Sequence, residues 1–432
     1  MVYSKAMIDI IEDNNRFIKR INERDQSVQY QDILETLKRI QHQVMTRKIA
    51  AVLDYTKQFD QVDLTVPQLK VTPSEIKMAY GAVSEPVLDA LKKAKKNIEI
   101  FHQHQYPKNW NTSPQSGVTY GMRYLPIERV CLYVPGGRAP YPSTVLMDAI
   151  PAKIAGVNQL IITTPPRKDG TIAPEIMVAA DLCGVSDIYK VGGAQAIFAV
   201  THGTESIPSV DKIVGPGNIY VNLAKQMVYG KVDIDKPAGP SDVLVVIEDP
   251  SYAPYAASEM LAQLEHDPLS IGIVVSTHED VLTNVQDELH HQLKTLKRKD
   301  IIEAAMANSG LLLAKDTPSL IGLINDIAAE HVVLVMDDYQ SVHDQIQNAG
   351  SIFCGPYTPV TLGDYYAGPN HVLPTGGTSR FASPLGVMDF MKFSTHLHYT
   401  KNALEQAAPD LKELTGMEGF TAHYNAVEQR LS

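Results

Sequence analysis

Between residues 129 and 229 the chain repeats one pattern four times: a short apolar strand, a turn rich in glycine, and a helix. The pattern predicts strands over 130–134, 160–162, 188–191 and 212–214. Strands that alternate with helices in this way are typical of a parallel, doubly wound sheet. Such sheets bind ligands at the carboxyl ends of their strands, which is where these glycine turns lie.

A second alternation of strands and helices follows the turn at 236–241 and continues to residue 354. Elsewhere the sequence predicts helices over 5–23 and 31–59, a strand over 64–71, and a helical tail from about residue 384. The predicted fold is therefore α/β, with two doubly wound, incomplete Rossmann-like αβα domains. The predicted divisions are an N-terminal helical arm over 1–28, a first αβ domain over 29–128 and 242–383, a second αβ domain over 129–241, and a C-terminal tail over 384–432.

The length and charge of the chain exclude several classes of protein. A chain of 432 residues exceeds one ordinary hydrophobic core, so two domains are expected. The net charge of −11 argues against nucleic acid or an anionic membrane as a partner. The 3 cysteines include no C-x-x-C pair, and the sequence shows neither a signal peptide nor an apolar run of ~20 residues. We therefore expect a reduced, soluble, cytoplasmic protein.

The glycine turns leave two interpretations open. Gly215-Pro216-Gly217 is followed by Asn218-Ile219-Tyr220, so the third glycine of the dinucleotide fingerprint is missing, and the chain has no Walker A sequence. The glycines either make tight turns and nothing more, or hold a cofactor less tightly than a full fingerprint does. Glycine-rich turns follow three successive strands, which is more glycine than is needed to join a strand to a helix. This favours a cofactor.

Polar groups that can carry chemistry recur at the ends of predicted elements. Gln263 and His266 lie three apart at the end of a predicted helix over 254–266, so they share one helix face and can reach one ion or substrate. The helix dipole alone would also favour His266 there. Further candidates follow along the chain: Glu330, His331, Asp364, His371, Glu418 and His423. Each is most simply structural when taken alone, but jointly they supply the acid, bases and ligands of a metal or acid–base site.

Eight segments, in order along nearly the whole chain, resemble the histidinol dehydrogenase family. They are YVPGG at 133–137, VGGAQA at 191–196, GPGN at 215–218, PAGPS at 237–241, QLEH at 263–266, AEH at 329–331, GPNHVLPT at 368–375 and EGFTAH at 418–423. Each segment alone is a weak signal, whereas the ordered set is specific.

The resemblance implies a four-electron oxidation of L-histidinol to L-histidine through L-histidinaldehyde, with reduction of two NAD, at the end of histidine biosynthesis. It also implies a homodimer with one zinc ion per subunit, in which the tail reaches into the active site of the partner. The roles that it assigns are catalytic for Glu330 and His331; zinc-binding for Gln263, His266, Asp364 and His423; substrate-binding for these ligands with Ser241, His331, His371 and Glu418; and cofactor-binding for Tyr133, Gln195 and Asn218.

Some positions lie outside this assignment. Leu264 and Val332 flank motif residues and replace none of them, and His396 and His398 are predicted to be an exposed pair without a role.

Two other functions remain open. One is a zinc-dependent hydrolase that activates water with Glu330, which would have no use for a dinucleotide cleft. The other is a non-catalytic nucleotide-binding or regulatory module, which would not need the acid, base and ligand set.

Overall fold

The computed structural model describes residues 8–11, 13–22, 30–136, 140–185, 187–236 and 239–432. Its strands are β1 Ile10–Ile11, β2 Trp110–Gln115, β3 Val118–Pro126, β4 Arg129–Tyr133, β5 Gln159–Thr163, β6 Asp187–Tyr189, β7 Lys212–Val214, β8 Asp233–Ile234, β9 Asp242–Ile247, β10 Ile271–Ser276, β11 Gly310–Leu313, β12 His331–Val335, β13 Ser351–Cys354 and β14 Met391–Tyr399. Its helices are α1 Asn14–Asn22, α2 Gln31–Arg47, α3 Ile49–Asp60, α4 Pro73–Ala82, α5 Glu85–Gln103, α6 Pro142–Ala155, α7 Pro174–Leu182, α8 Gly193–His202, α9 Ile219–Val228, α10 Ala253–Leu264, α11 Glu279–Leu293, α12 Lys299–Met306, α13 Thr317–Ile327, α14 Gln340–His343, α15 Val360–Tyr365, α16 Lys401–Met417 and α17 Thr421–Leu431.

The four predicted repeats form one parallel sheet, with strand order β6-β5-β4-β7-β8. Helices cover both faces of this sheet, which explains why most residues of its strands are apolar. The apolar side chains of α2, α3, α8 and α9 form a core on one face, and those of α4 to α7 form a core on the other. The prediction of a doubly wound αβα unit is therefore confirmed.

Residues 31–103 pack on this five-stranded sheet, although the sequence analysis grouped 29–128 with 242–383. The apolar stripe of α2, formed by Leu37, Ile40 and Val44, belongs to the same core as Phe198 of α8. Ile98 of α5 belongs to the core on the opposite face. Position along the chain gave no sign of this arrangement, because an amphipathic stripe shows that a helix is buried without showing which sheet it covers.

The second alternation forms a parallel sheet with strand order β1-β11-β10-β9-β12-β13. Helices α10, α11 and α12 cover one face, and α1, α13 and α14 cover the other. The prediction of a helix over 5–23 is wrong at Ile10–Ile11, where the chain pairs with Leu311 and Leu312 at the sheet edge. Two adjacent β-branched residues beside an edge strand favour pairing over helix.

Two further predictions need correction. The strand predicted over 64–71 is instead a 3₁₀ turn at Val66–Gln68, because Pro67 and the capping pair Thr65 and Gln68 favour a helical turn. The tail is helical from Lys401, but β14 precedes it and pairs with β3 and β2 in a three-stranded antiparallel sheet. Apolar and polar residues alternate along β14, and this period of two was the missed signal.

In the described part of the chain, no helix combines the length and the apolar character that crossing a membrane requires.

Candidate active site

One cleft of about 390 Å³ is lined by residues from both parallel sheets. The five-stranded sheet contributes the turn Gly215–Asn218, which follows β7, and the six-stranded sheet contributes Ser241, Glu330 and His331. The cleft also collects Asn218, Gln263, His266, Asp364 and His371. Eight of the residues selected from the sequence therefore line one cavity.

The two sheets meet this cleft with opposite ends of their strands. The turn Gly215–Asn218 lies at the carboxyl end of β7, as the sequence predicts. On the other sheet, Ser241 directly precedes β9 and His331 is the first residue of β12, so the cleft lies at the amino ends of these strands. The rule that places ligands at carboxyl ends therefore holds for one half of the site only.

His331 is buried at the start of β12 with its two ring nitrogens in different surroundings. Its Nδ1 lies 3.1 Å from the carbonyl oxygen of Asp242. Because a carbonyl oxygen only accepts, Nδ1 carries the proton and Nε2 keeps its lone pair. Nε2 is buried without a hydrogen-bond partner among the described residues and lies 3.9 Å from Oδ1 of Asp364. Burial lowers the pKa of His331 to about 4, so the ring is neutral at pH 7.

Glu330 is held by hydrogen bonds to residues at the start of β9. The amide of Asp242 donates to Oε2 of Glu330 at 3.2 Å, the amide of Glu330 donates to Oδ1 of Asp242 at 2.5 Å, and the hydroxyl of Ser241 donates to the Glu330 carboxylate. Burial, followed by the charge of Asp242, raises the pKa of Glu330 well above its usual value. The ionised form of this carboxyl is consequently a stronger base than an exposed glutamate.

The possible ligands cluster beside this pair. Gln263 is buried in the last turn of α10, and His266 lies two residues beyond the helix with its amide donating to the Gln263 carbonyl at 3.3 Å. Burial lowers the pKa of His266 and raises that of Asp364 to about 6. His371 donates from Nδ1 to the carbonyl of Asp364 at 2.9 Å, which leaves its Nε2 able to accept or coordinate.

Glu259 supports this site from beside the cleft without lining it, and the sequence analysis missed it. It lies four residues before Gln263 and seven before His266, so all three belong to one face of the chain around α10. Oε2 of Glu259 accepts a hydrogen bond from the amide of Val360 at 3.1 Å, and Val360 begins the short helix α15 that carries Asp364. An acidic residue on the face already shared by Gln263 and His266 was the available signal.

Four predicted residues do not reach the cleft in the single chain. Tyr133 and Gln195 are buried within the five-stranded unit, where the Tyr133 hydroxyl accepts a hydrogen bond from the amide of Gly193 at 3.1 Å. Neither polar atom of the Gln195 side chain has a partner among the described residues. Glu418 and His423 are exposed on the tail, outside the cleft. Three motif positions, at 137, 237 and 238, lie outside the described residues.

The predicted metal ligands are brought together only in part. Gln263, His266 and Asp364 line the cleft, whereas His423 does not. Over the described ranges, no group of three or more His, Cys, Asp or Glu side chains is placed to hold a metal ion. Glutamine is not among these residue types. The single chain therefore offers two conventional zinc ligands, His266 and Asp364, and the side-chain amide oxygen of Gln263.

These features define an α/β enzyme with an acid–base pair facing a glycine turn of the dinucleotide-binding kind. A sequence model of the histidinol dehydrogenase family matches residues 23–431. The chain belongs to this family, whose members are oxidoreductases that act on CH–OH donors.

Individual relatives agree with this membership. The chain is 45% identical to histidinol dehydrogenase of Oceanobacillus iheyensis over 401 residues, which cover 93% of this chain and 92% of the relative. It is 45% identical to that of Clostridium acetobutylicum over 419 residues, or 97% and 96% of the two chains. The crystal structure of histidinol dehydrogenase from Elizabethkingia anophelis superposes with a TM-score of 0.94 at 35% identity, covering 100% of this chain and 99% of the other. The predicted family and fold class are therefore confirmed.

The bond from Val360 to Glu259 predicts a local effect of mutation. Glu259→Ala removes the acceptor for a buried amide, which costs about 1–3 kcal/mol locally. Amide hydrogen exchange of a peptide spanning 360–366 should then accelerate by roughly tenfold or more. Glu259→Gln keeps an oxygen acceptor and should change exchange little, and Ser258→Ala, at an exposed position on the same helix, is the matched control. Equal exchange in Glu259→Ala and Ser258→Ala would contradict this role.

Proposed function

We propose that this chain catalyses the zinc-dependent, NAD-linked oxidation of L-histidinol to L-histidine through L-histidinaldehyde, the last steps of histidine biosynthesis. The observation that carries the proposal is the pairing of a neutral, buried His331 and a strongly basic Glu330, across one cleft from the turn Gly215–Asn218. The names of the relatives support the choice of substrate. The location in the cytoplasm stays a prediction from the sequence.

The cleft residues suit a zinc ion when a second copy of the chain is considered. Burial keeps His266 neutral, which is the form that binds metal, and Asp364 supplies an anionic oxygen. Gln263 is an unusual zinc ligand, but its position on the face shared with His266 allows both to reach one ion. We propose that His423 of a second subunit completes the set, giving one zinc per subunit. Bound zinc would fix the substrate as an electrostatic template, and bound NAD would accept a hydride in each oxidation.

In the first oxidation His331 acts as the general base. Its Nδ1–H remains bonded to the carbonyl of Asp242, which holds the ring in place and leaves the lone pair of Nε2 free beside Asp364, another residue that lines the cleft. Nε2 takes the proton of the substrate alcohol as the carbinol carbon loses its hydride. Because the ring is neutral at pH 7, it is ready to accept this proton.

In the second oxidation Glu330 takes a proton from water, which adds to the aldehyde. The hydrogen bonds from Ser241 and from the amide of Asp242 hold its carboxylate beside His331. Nδ1 of His331 lies 3.9 Å from Oε2 of Glu330, so both bases serve one bound molecule. We assign substrate contacts to Ser241, His371 and Glu418, in addition to the ligands and His331.

For the cofactor we propose contacts with Asn218 and, once the five-stranded unit opens to admit NAD, with the buried side chains of Tyr133 and Gln195. Asn218 lines the cleft and caps α9, accepting from the amides of Tyr220 and Val221 at 3.0 and 3.2 Å. The amino end of a helix favours phosphate. Lys236 lines the same cleft, and its Nζ is buried without a hydrogen-bond partner in the described part of the chain. Its charge complements the pyrophosphate of a dinucleotide.

The exposed tail supports a homodimer. Leu397 on β14 and Met417 at the end of α16 are 68% and 78% exposed, and Phe393 and Phe420 are also exposed. Large apolar side chains grouped on one terminal segment indicate a surface that another protein covers. We propose that a second copy covers it, so that Glu418 and His423 enter the cleft of the partner.

The other functions considered from the sequence have less support. A zinc hydrolase would use Glu330 alone and would leave the glycine turn in the same cleft without a purpose. A non-catalytic module would not need a buried base with a free ring nitrogen. Membership in a family of oxidoreductases argues against both.

The proposal predicts two NADH formed for each L-histidinol consumed. Treatment with a chelator should abolish NADH formation, and zinc should restore it. The measurement is NADH absorbance against L-histidinol consumed and L-histidine formed, with metal content determined in parallel. The absence of NADH under every condition would exclude the dehydrogenase, and one NADH per substrate would exclude the second step.

Glu330→Gln should retain the first oxidation and lose the second by about 100-fold or more, because general base catalysis contributes factors of this size. In single-turnover experiments we expect one NADH and accumulated aldehyde, trapped as a hydrazone. Supplied with L-histidinaldehyde, the variant should form little NADH. Equal slowing of both oxidations would contradict the division of roles between Glu330 and His331.

The exchanged tail predicts complementation between two inactive variants. His331→Asn removes the base from the chain's own site, and His423→Asn removes the tail residue that completes the site of the other subunit. Each homodimer should therefore be inactive. Random heterodimers formed by co-expression should contain one intact site, giving about a quarter of the wild-type activity of the mixture. Lack of activity in heterodimers isolated with two affinity tags would show that each chain completes its own site.

A further inference from the structure

Buried side chains hold both the amide and the carbonyl of Gly215, at the start of the turn that lines the cleft. The amide of Gly215 donates to Oδ2 of Asp235 at 2.8 Å. Nζ of Lys225 donates to the carbonyl oxygen of Gly215 at 2.8 Å. Asp235 and Lys225 also form an ion pair with each other, with side chains that are 3% and 2% exposed. A closed arrangement of three residues therefore fixes one peptide segment of the turn.

Helix α9 presents one face to the same turn. Asn222 donates from Nδ2 to the carbonyl of Gly217 at 3.0 Å, and Lys225 bonds Gly215. Counted from the cap Asn218, these residues lie four and seven positions along the helix, so the three share one face. The helix that follows the turn therefore supplies the groups that determine its shape.

The turn has no room for a side chain at its first residue. Gly215 has φ +117°, and a Cβ atom at this position would lie 2.2 Å from the carbonyl oxygen of Tyr133. A buried ion pair is costly to remove from water and adds little net stability. Stability alone is therefore a poor reason for burying Lys225 and Asp235, whereas control of the shape of the turn is a sufficient one.

We propose that Lys225 and Asp235 are positioning residues for the cofactor, whose ion pair holds the turn Gly215–Asn218 in the shape that receives a dinucleotide. The inference rests on the proposed function, since it takes this turn as part of the NAD site. Lys225 does not line the cleft, so it acts through Gly215 and does not touch the ligand. Asp235 borders the cleft, but its two carboxylate oxygens face the amide of Gly215 and Nζ of Lys225, so it too acts through the turn.

Asp148 completes the surroundings of this pair. Its carboxyl is fully buried, and neither oxygen has a hydrogen-bond partner among the residues described. Its Oδ2 lies 3.2 Å from the position that a Cβ on Gly215 would take. Burial, followed by the charge of Asp235, raises the pKa of Asp148 well above its usual value, which favours the uncharged form of this carboxyl beside the ion pair.

The test uses the double variant Lys225→Met, Asp235→Asn in the full-length enzyme. The pair of substitutions buries no unpaired charge, and the asparagine oxygen still accepts from the amide of Gly215. The Kd and KM for NAD should rise about tenfold, equivalent to about 1.4 kcal/mol. At saturating NAD, kcat should stay within about twofold of wild type, as should the KM for L-histidinol, because the acid–base pair lies on the other sheet.

Two further variants separate positioning from stability. Leu37→Ala opens a cavity in the core of the same five-stranded unit and should lower Tm without changing the Kd for NAD. Gly215→Ala displaces the turn directly and should weaken NAD binding in the same way as the double variant.

A double variant that binds NAD as tightly as Leu37→Ala would overturn the inference, as would a loss confined to kcat. If the double variant does not fold, Lys225→Gln combined with Asp235→Asn, which also leaves no buried charge unpaired, decides by the same comparison. Failure of the wild-type enzyme to bind or reduce NAD would contradict the proposed function instead, so the two failures are distinguishable.

Discussion

Two hydrogen bonds run in opposite directions between Asp242 and Glu330, the residues at the starts of two neighbouring central strands. Each residue donates its amide to the carboxylate of the other, and the carbonyl of Asp242 accepts the ring proton of His331. One residue of β9 therefore orients both bases of the site. Since β9 and β12 pair in register along their length, the sheet itself maintains this geometry. The positions of the two bases depend on the pairing of β9 with β12 at the amino ends of these strands more than on any loop.

Much of the fold was accessible from the sequence, because apolar strands separated by helices leave a strong periodic signal. The four repeats from residue 129 are all present in the five-stranded sheet. The sequence did not show which helices and strands contact each other. The apolar stripe of α2 indicated that this helix is buried but not which sheet it covers, and Ile10–Ile11 was too short to be recognised as a strand. Pairing between distant segments depends on contacts that no local pattern records.

The site was accessible at the level of residue types. Gln263 and His266 were selected by their spacing, and Glu330, His331, Asp364 and His371 by their chemistry together with the family resemblance; all line the cleft. Glu259, Asp242 and Lys225 were missed, because a charged residue beside apolar neighbours looks like an ordinary exposed position. Burial distinguishes them, and burial becomes visible only when the chain is folded. The cleft is supported on each side by three residues at the spacing i, i+4, i+7. They are 218, 222 and 225 on α9 of the five-stranded unit, and 259, 263 and 266 around α10 of the six-stranded unit.

The active site uses the amino ends of β9 and β12, which leaves the carboxyl ends of the strands in the six-stranded sheet without a part in the chemistry. The connections at these ends, such as the one between Ile247 and Ala253, face away from the cleft and line none of it. A longer connection between Ile247 and Ala253 should leave the pairing of β9 with β12 and the positions of their first residues unchanged, whereas the connection at 355–359 leads directly into α15, which carries Asp364. The connection between Ile247 and Ala253 is consequently the place where we expect insertions, fusions or labels to be tolerated.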